Sequence, residues 1–255
     1  MKFKKKLAYS WLALWYGLAI IFSRHDFHHH LEYSLAGPTW AHPLGFDAFG
    51  RNLFYVLLNA SATSSLFGMS AVLLSTLGAL FFGSLCALAP RSVRFIFLRL
   101  LESFLAFPGL LFALAYAAIR GPGWDTLVFA LLIGTLPSFT RLIYIRTREL
   151  LAEDYVLAAQ SLGAKRWAVF KNHLLPALIS LCSVKIPNLF AHALMAEATL
   201  SFLGVGAPIG RDTWGSLLLQ GKDYLLEDPH IALGTGVPLI LTVVFLQILS
   251  ETESR

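Results

Sequence analysis

The sequence predicts an all-α fold, a polytopic membrane helix bundle of about six transmembrane helices. Hydrophobic residues make up 56% of the 255 residues and charged residues only 14%, and the mean hydropathy is +0.65. A soluble domain of this length cannot bury so much apolar surface, and the apolar residues fall in runs near the ~20 residues that span a bilayer. Lys and Arg cluster in alternate polar segments, as expected for a chain that crosses the membrane repeatedly.

The first apolar run, from Leu7 to Phe22, follows four lysines near the N-terminus. No small-x-small cleavage motif follows it, so we interpret it as a retained first span with a cytoplasmic N-terminus rather than a cleaved signal peptide. The polar stretch from Arg24 to Ala60 is then extracytoplasmic. Residues 1–60 are predicted to form an N-terminal span plus loop, and residues 61–250 the main membrane domain.

Histidines are concentrated in that loop, at His25, His28, His29 and His30. Imidazole is a good ligand for Ni, Cu and Zn. Nothing in the spacing fixes a coordination geometry, so we interpret the cluster as incidental and predict no metal site. These four residues are kept as metal candidates of second rank.

Five further runs are long and apolar enough to be spans. They are residues 63–89, 95–119, 126–144, 174–200 and 231–249. Small residues recur along the first of these runs and favour close helix packing in lipid. Pro108 predicts a kink in the next run. Residues 204–230 are predicted to form a second extracytoplasmic segment, in which the plainest role for Trp214 is that of an interfacial anchor.

Ionisable side chains within predicted spans are costly in lipid and are therefore candidates for function. Four of them are taken as candidates, namely Glu102, Lys185, His192 and Glu197. We expect them to line a translocation path or the bundle interior. Glu102 can pair with Arg99 at i,i+3 spacing. For Lys185 we favour the plainer alternative, in which the side chain snorkels or pairs within the bundle.

The distribution of positive charge sets the orientation. Fourteen Lys and Arg residues lie on the predicted inner side: Lys2, Lys4, Lys5, Lys6, Arg91, Arg94, Arg99, Arg141, Arg146, Arg148, Lys165, Arg166, Lys171 and Arg255. Five lie outside: Arg24, Arg51, Arg120, Arg211 and Lys222. The positive-inside rule therefore accounts for the net charge of +5. Membrane lipid is a predicted partner, and no nucleic-acid partner is predicted.

One long polar interruption divides the second half of the chain, at residues 154–176, DYVLAAQSLGAKRWAVFKNHLLP. Asp154 can cap a first helix, and Gly163 is placed to end that helix in the left-handed conformation. A second short helix over 164–172 can follow, with Pro176 starting the next span. The segment is predicted to be a cytoplasmic helix–turn–helix that is offered to a partner.

This segment resembles the EAA loop of the membrane subunits of ATP-binding-cassette importers, since an Ala-Ala pair, a later Gly and a closing Leu-Pro pair match that pattern. In the family the loop forms a coupling helix, between spans 4 and 5 here, that docks on the ATPase subunit. The resemblance implies six ATPase-coupling residues: Tyr155, Ala158, Ala159, Gly163, Leu175 and Pro176. Two positions depart, because Leu157 stands where Glu is usual and His173 where an aliphatic residue is usual.

Residues 42–52, HPLGFDAFGRN, resemble the HPLGTDxxGRD segment that precedes the second span in dipeptide, oligopeptide and nickel-type permeases. Phe46 and Asn52 depart from that pattern. The strings LESFLAFPGLLFALA at 101–115 and AEATLSFLGVG at 196–206 resemble the same permeases. Of these matches, the HPLG segment is the most specific to the subfamily.

The HPLG segment also has a direct physical interpretation. Gly45 and Gly50 permit tight turns, and Asp47 and Arg51 can pair to brace the loop. A braced extracytoplasmic loop is therefore expected just before the second span.

The resemblance covers residues 42–241 and implies a multi-pass permease subunit of an ATP-driven importer in a bacterial inner membrane. It implies as partners two ATPase subunits, a second homologous permease subunit and an extracytoplasmic substrate-binding protein, working by alternating access. The implied cargo is a short peptide, with nickel or a nickel chelate as the alternative within the family.

Several catalytic motifs are missing from the sequence. It contains no G-x-x-x-x-G-K-[ST], H-E-x-x-H or G-x-S-x-G. The chain is therefore predicted to be no enzyme and to hold no cofactor, with ATP and Mg²⁺ bound by partner subunits. The alternative from another class is an intramembrane hydrolase that uses His192 and Glu197.

Overall fold

The computed structural model describes residues 2–22, 30–206 and 210–253, and in these ranges the regular structure is helical apart from one isolated bridge between Phe46 and Asn52. The helices are α1 (Lys2–Phe22), α2 (Leu53–Leu88), α3 (Arg91–Ala106), α4 (Gly109–Arg120), α5 (Trp124–Leu150), α6 (Asp154–Ser161), α7 (Arg166–Val169), α8 (Leu175–Phe202), α9 (Trp214–Asp223) and α10 (His230–Glu253). A 3₁₀ turn also covers Leu31–Tyr33. The predicted all-α membrane bundle is confirmed.

Four helical stretches in the described residues are long and apolar enough to cross a membrane: Leu53–Leu88, Trp124–Leu150, Arg166–Phe202 and His230–Ser250. The α3–α4 pair makes a fifth if it counts as one span. α1 does not reach the same hydropathy because its first turn is rich in lysine. It nevertheless packs in the bundle, where the Trp11 and Trp15 rings stack at 5.4 Å and Trp11 Nε1 donates to Thr242 Oγ1 at 3.2 Å.

The second predicted span begins earlier than the sequence indicated. The Asn52 side chain accepts a hydrogen bond from the Phe54 amide and caps α2, which starts at Leu53 instead of residue 63. Its 36 residues make a helix roughly 54 Å long, which exceeds the ~30 Å hydrocarbon core. The end of the predicted extracytoplasmic loop is therefore helical, and the predicted division between residues 60 and 61 falls inside α2.

The third predicted span is broken rather than kinked. α3 and α4 meet at an angle of 80°, with Phe107 and Pro108 between them in extended conformations. Pro108 lacks the amide hydrogen that would continue α3, and it disfavours the helical conformation for the residue before it. The two helices therefore present separate faces to their surroundings.

Small residues bring α2 and α5 together at the centre of the bundle. A β-carbon added to Gly83 would lie 2.8 Å from the Thr140 carbonyl oxygen, so only glycine allows this approach. The Ser75 and Thr135 hydroxyls are hydrogen-bonded across the same interface at 2.5 Å. The expectation that small residues permit close packing is confirmed here.

Helix α9 was not predicted, since residues 204–230 read as a connecting segment. Thr213 and Ser216 form a capping box at its start, each side chain accepting from the other residue's amide. The Trp214 side chain is fully buried, and its backbone amide donates to Ser64 Oγ of α2 at 3.0 Å. The interfacial-anchor interpretation of Trp214 is therefore wrong.

Candidate functional site

The predicted coupling segment begins with α6, whose start differs from the prediction. Glu153, rather than Asp154, is the N-cap residue, and its side chain makes no capping hydrogen bond. Val156 is completely buried in a cluster that also contains Leu150 and Leu174, and so anchors α6 to the bundle. The opposite side of α6 is left facing outward.

The turn after α6 is a Schellman motif with Gly163 as its left-handed residue. The Ala164 amide donates to the Ala159 carbonyl and the Gly163 amide to the Gln160 carbonyl, each at 3.0 Å. Gly163 has φ of +86°, and a β-carbon added there would meet no atom within 4 Å. Gly163 is therefore required for its backbone conformation and not for close packing.

Beyond the turn, one continuous helical stretch runs from Arg166 to Phe202. The predicted separate helix over 164–172 and fresh start at Pro176 are therefore wrong. A π-helical turn over Phe170–Leu174 joins α7 to α8, with the Leu175 amide bonded to the Phe170 carbonyl. The wider turn just before Pro176 accommodates a residue that has no amide hydrogen to give.

The outward surface of this segment carries several large apolar side chains among polar and charged ones. Four large side chains are 47% to 90% exposed, namely Tyr155, Leu157, Leu162 and Trp167. Ala158 is exposed and Ala159 half-buried between them, so the backbone of α6 is approachable. Leu162 and Trp167 were not singled out from the sequence, although a Leu and a Trp in a polar loop were the available clue.

The two positions that depart from the EAA pattern fit this surface. The His173 ring lies 5.9 Å from the Tyr155 ring, so it supports the first turn of α6. Leu157 is 47% exposed, where the family pattern has a charged residue. Leu175 is half-buried and Pro176 exposed at the base of the segment. We call the exposed surface of residues 154–167 the coupling face.

The four ionisable residues predicted for a translocation path lie in different surroundings. Glu102 pairs with Arg99 at 2.9 Å as expected, but both side chains are at least half exposed on the outside of this chain. Lys185 is half-buried on α8 and forms no salt bridge among the described residues. Neither Glu102 nor Lys185 lines the cavity of His192 or is among the polar neighbours of Glu197 described below.

His192 lines a cavity of about 390 Å³ between α4, α5 and α8. The cavity wall is mostly apolar, and its polar side chains besides His192 are Thr135 and Ser138. Gly109 and Gly134 also line it, and a β-carbon on Gly109 would lie 3.0 Å from the Gly134 Cα. Among the four predicted path residues, His192 is the one that lines this cavity.

Glu197 faces a different side of α8 and is completely buried. One of its carboxylate oxygens accepts from Ser201 Oγ at 2.6 Å, and the other accepts no hydrogen bond. Ser64 and Thr213 lie close by, so Glu197 sits where α2, α8 and the start of α9 meet. The predicted pairing of His192 with Glu197 in a hydrolase site is not supported, because the two side chains do not converge.

The predicted extracytoplasmic loop is closed by an ionic cluster that we call the outer clasp, formed by Asp47, Arg51 and Asp212. Arg51 Nε donates to Asp47 Oδ2 at 2.7 Å, which confirms the predicted pair, and Arg51 Nη1 donates to Asp212 Oδ2 at 2.7 Å. Gly45 and Gly50 have φ of +72° and +69°, so both predicted tight turns are confirmed. Asp212 lies 161 residues away along the chain and no local pattern pointed to it.

The clasp is largely withdrawn from solvent. The side chains of Asp47, Arg51 and Asp212 are 0%, 11% and 20% exposed. Burial lowers the pKa of Arg51, but the hydrogen bonds and charges of Asp212 and Asp47 outweigh it and leave that pKa above its ordinary value. The guanidinium is therefore held firmly in its charged form.

Of the histidine cluster, His25, His28 and His29 lie outside the described residues. His30 is described, and its Nδ1 lies 3.8 Å from Glu32 with both side chains exposed. In the ranges 2–22, 30–206 and 210–253 no group of three His, Cys, Asp or Glu side chains is placed to hold a metal ion.

The chain is similar to proteins of one family. Residues 79–252 match the family model described as binding-protein-dependent transport system inner membrane component. The glutathione transport system permease protein GsiD of Pectobacterium atrosepticum is 32% identical over 215 residues, which cover 84% of this chain and 71% of that protein. The di/tripeptide transport system permease protein DppC of Pseudomonas aeruginosa is 29% identical, covering 86% and 75%.

Solved transporters share the fold. The inward-facing MetNI methionine ABC transporter gives a TM-score of 0.64 at 14% identity, over 78% of this chain and 95% of the matched chain. An amino acid ABC transporter crystallised with histidines gives 0.58 at 20% identity, over 78% and 94%.

Proposed function

The chain belongs to the family of binding-protein-dependent transport system inner membrane components, and we propose that it is a permease subunit of an ATP-binding-cassette importer for short peptides. The family is one of multi-pass inner membrane transport proteins rather than enzymes. In this proposal ATP and Mg²⁺ are bound by two separate ATPase subunits. A second homologous permease and an extracytoplasmic binding protein complete the assembly, and the N-terminus is cytoplasmic.

The observation that carries the proposal is the coupling face. It combines a rigid frame, fixed by the buried Val156 and the Gly163 turn, with large exposed apolar side chains. A monomeric soluble surface rarely leaves such side chains together without a partner. An ATPase subunit that binds here would contact α6, whose backbone is accessible at Ala158 and Ala159.

One helical stretch connects the coupling face to the cavity lined by His192. The stretch Arg166–Phe202 is one helical rod of 37 residues, roughly 55 Å long, and it carries His192 in its membrane part. When ATP binding draws the two ATPase subunits together, a shift of α6 and α7 would tilt this rod. The cavity wall formed by α8 would then move relative to α4 and α5, as alternating access requires.

The cavity wall supports a peptide as cargo. Thr135, Ser138 and His192 offer hydrogen bonds on an otherwise apolar surface, which suits the amide groups and mixed side chains of a short peptide. The names of the relatives, which include glutathione and di/tripeptide permeases, support the same substrate class.

Uptake and assembly test the proposal together. In cells that lack the chain and carry it back on a plasmid, we expect uptake of a labelled tripeptide to return only with the intact chain and to stop on ATP depletion. Ala159→Asp should abolish uptake and co-purification of the ATPase subunit, because it places an unpaired charge in the docking contact. Ser92→Asp is the control, since it adds the same charge on the predicted cytoplasmic side, in the first turn of α3.

Unchanged ATPase co-purification with Ala159→Asp would contradict the role of the coupling face. ATP-dependent uptake of nickel but not of any labelled peptide would keep the importer and overturn the cargo. Uptake that persists without ATP would overturn the importer itself.

A further inference from the structure

A deep apolar groove lies on the outside of the bundle, between α3 and α5. Its volume is about 410 Å³, enough for most of one acyl chain. The wall is apolar except for Thr140 and consists of Phe82, Phe97, Leu100, Leu101, Phe104, Phe129, Leu132, Ile133, Leu136, Pro137 and Thr140. Leu100 and Phe104 are 58% and 51% exposed, so the groove opens outward rather than into the bundle.

Two arginines continue the groove walls toward the predicted cytoplasmic side. Arg94 precedes Phe97 by three residues, so it lies on the groove face of α3 one turn earlier. Its charge acts on Cys86 of α2, one turn beyond the groove residue Phe82. Arg141 directly follows Thr140 and lies one turn after Pro137 on α5.

These two arginines differ from others on the same helices. Arg99 of α3 is paired with Glu102, and Arg146 of α5 with Glu149, each at 2.9 Å. Arg94 and Arg141 form no salt bridge in the described part of the chain. Two uncompensated positive charges therefore stand at the cytoplasmic end of an apolar groove.

We propose that this groove binds one anionic phospholipid of the cytoplasmic leaflet, with an acyl chain against α3 and α5 and the phosphate beside Arg94 and Arg141. The apolar wall matches the chain, and basic pockets between helices at the cytoplasmic side favour anionic head groups. The 80° break after α3 gives that helix a direction different from that of α4. The proposal is independent of the cargo and of the coupling face.

The test is native mass spectrometry of the full chain, purified with the subunits that accompany it, from nanodiscs of phosphatidylglycerol and phosphatidylcholine mixed equally. We expect one phosphatidylglycerol to be retained per chain in preference to phosphatidylcholine. Each of Arg94→Gln and Arg141→Gln should lower that retention about fivefold, since an arginine near anionic lipid contributes a factor of this size. Lys171→Gln, which removes one charge elsewhere on the cytoplasmic side, should not.

A second pair of variants tests the groove itself. Leu100→Trp fills the groove from its open side and should reduce retention of both lipids, whereas Leu111→Trp, on an exposed site outside the groove, should not. Equal retention of the two lipids by the unchanged protein would overturn the proposal. So would a Leu100→Trp variant that keeps its lipid but loses a second permease subunit, because the groove would then be a protein contact.

Discussion

The two ends of the bundle satisfy their side chains in opposite ways. At the predicted outer end, Arg51 pairs with both Asp47 and Asp212, and Trp214 is buried with its amide bonded to α2. At the predicted cytoplasmic end, the coupling face leaves Leu162 and Trp167 90% and 69% exposed. At the predicted outer end these ion pairs and the hydrogen bond are made within this chain, whereas the role proposed for the coupling face needs another protein. Changes at the first should affect stability, and changes at the second should affect association.

The largest expected effect is at the outer clasp. Arg51→Gln leaves the fully buried Asp47 carboxylate without its cation, which costs about 3–5 kcal/mol of unfolding free energy. We expect a clearly lower thermal midpoint in detergent, with ATPase co-purification retained in the folded fraction. Glu102→Gln, which breaks a pair at least half exposed, is the control and should cost less than about 1 kcal/mol. Equal midpoints for the two variants would show that the clasp does not stabilise the outer end.

The next largest effect is at the Gly163 turn. Gly163→Val forces a β-branched residue to a φ of +86°, which strains the turn. If this strain reduces the free energy of ATPase binding by about 2–3 kcal/mol, the affinity falls about 30- to 150-fold. Gly163→Asn is the matched control, because Asn tolerates this conformation and a β-carbon here meets no neighbour. The measurement is a binding titration of the purified ATPase subunit. Equal losses for Val and Asn would mean that the backbone conformation is not the cause.

A smaller effect is expected from the exposed apolar side chains. Trp167→Ser and Leu162→Ser should each weaken ATPase binding by about 1–2 kcal/mol, roughly 5- to 30-fold, and leave the thermal midpoint of the free chain unchanged. Leu226 is 98% exposed in the segment after α9, and Leu226→Ser is the control at the opposite end. A loss of stability without a loss of binding would place Trp167 and Leu162 in the fold rather than in the interface.

The last prediction concerns the orientation of the chain in the membrane, and it involves no change in stability or binding. Single cysteines at Ser92 and Ala164 should label with a membrane-impermeant maleimide only in inverted vesicles, and one at Gly123 only in intact cells. This result is expected from the predicted excess of positive charge inside. Labelling of position 164 from outside intact cells would exchange the two ends and refute the comparison.

Local chemistry made part of this structure predictable. The Gly163 turn, the Asp47–Arg51 pair and the Arg99–Glu102 pair each depend on residues within five positions of one another, and the structure has all three. The apolar runs predicted the spans for the same reason, since length and composition alone determine whether a helix can cross lipid.

The features that were missed depend on distant contacts. Asp212 meets Arg51 across 161 residues, and Trp214 is buried in an apolar cluster that includes Val56 and Leu57 of α2, with its amide bonded to Ser64. The coupling residues themselves were selected through a family resemblance, and their contacts with an ATPase stay a prediction. Of the proposed path residues on α8, His192 lines the cavity between α4, α5 and α8 whereas Glu197 does not, because the two positions face different directions.

The π-helical turn at Phe170–Leu174 sets the rotational phase between the two working parts of the rod Arg166–Phe202. One extra residue per turn rotates everything before it by roughly 100° relative to everything after it. Removing a single residue from this turn would leave an unbroken helix. The coupling face would then point in a different direction relative to His192 than it does in this structure. The π-helical turn therefore fixes the angle about the helix axis between the surface proposed to bind the ATPase subunit and the face of α8 that lines the cavity.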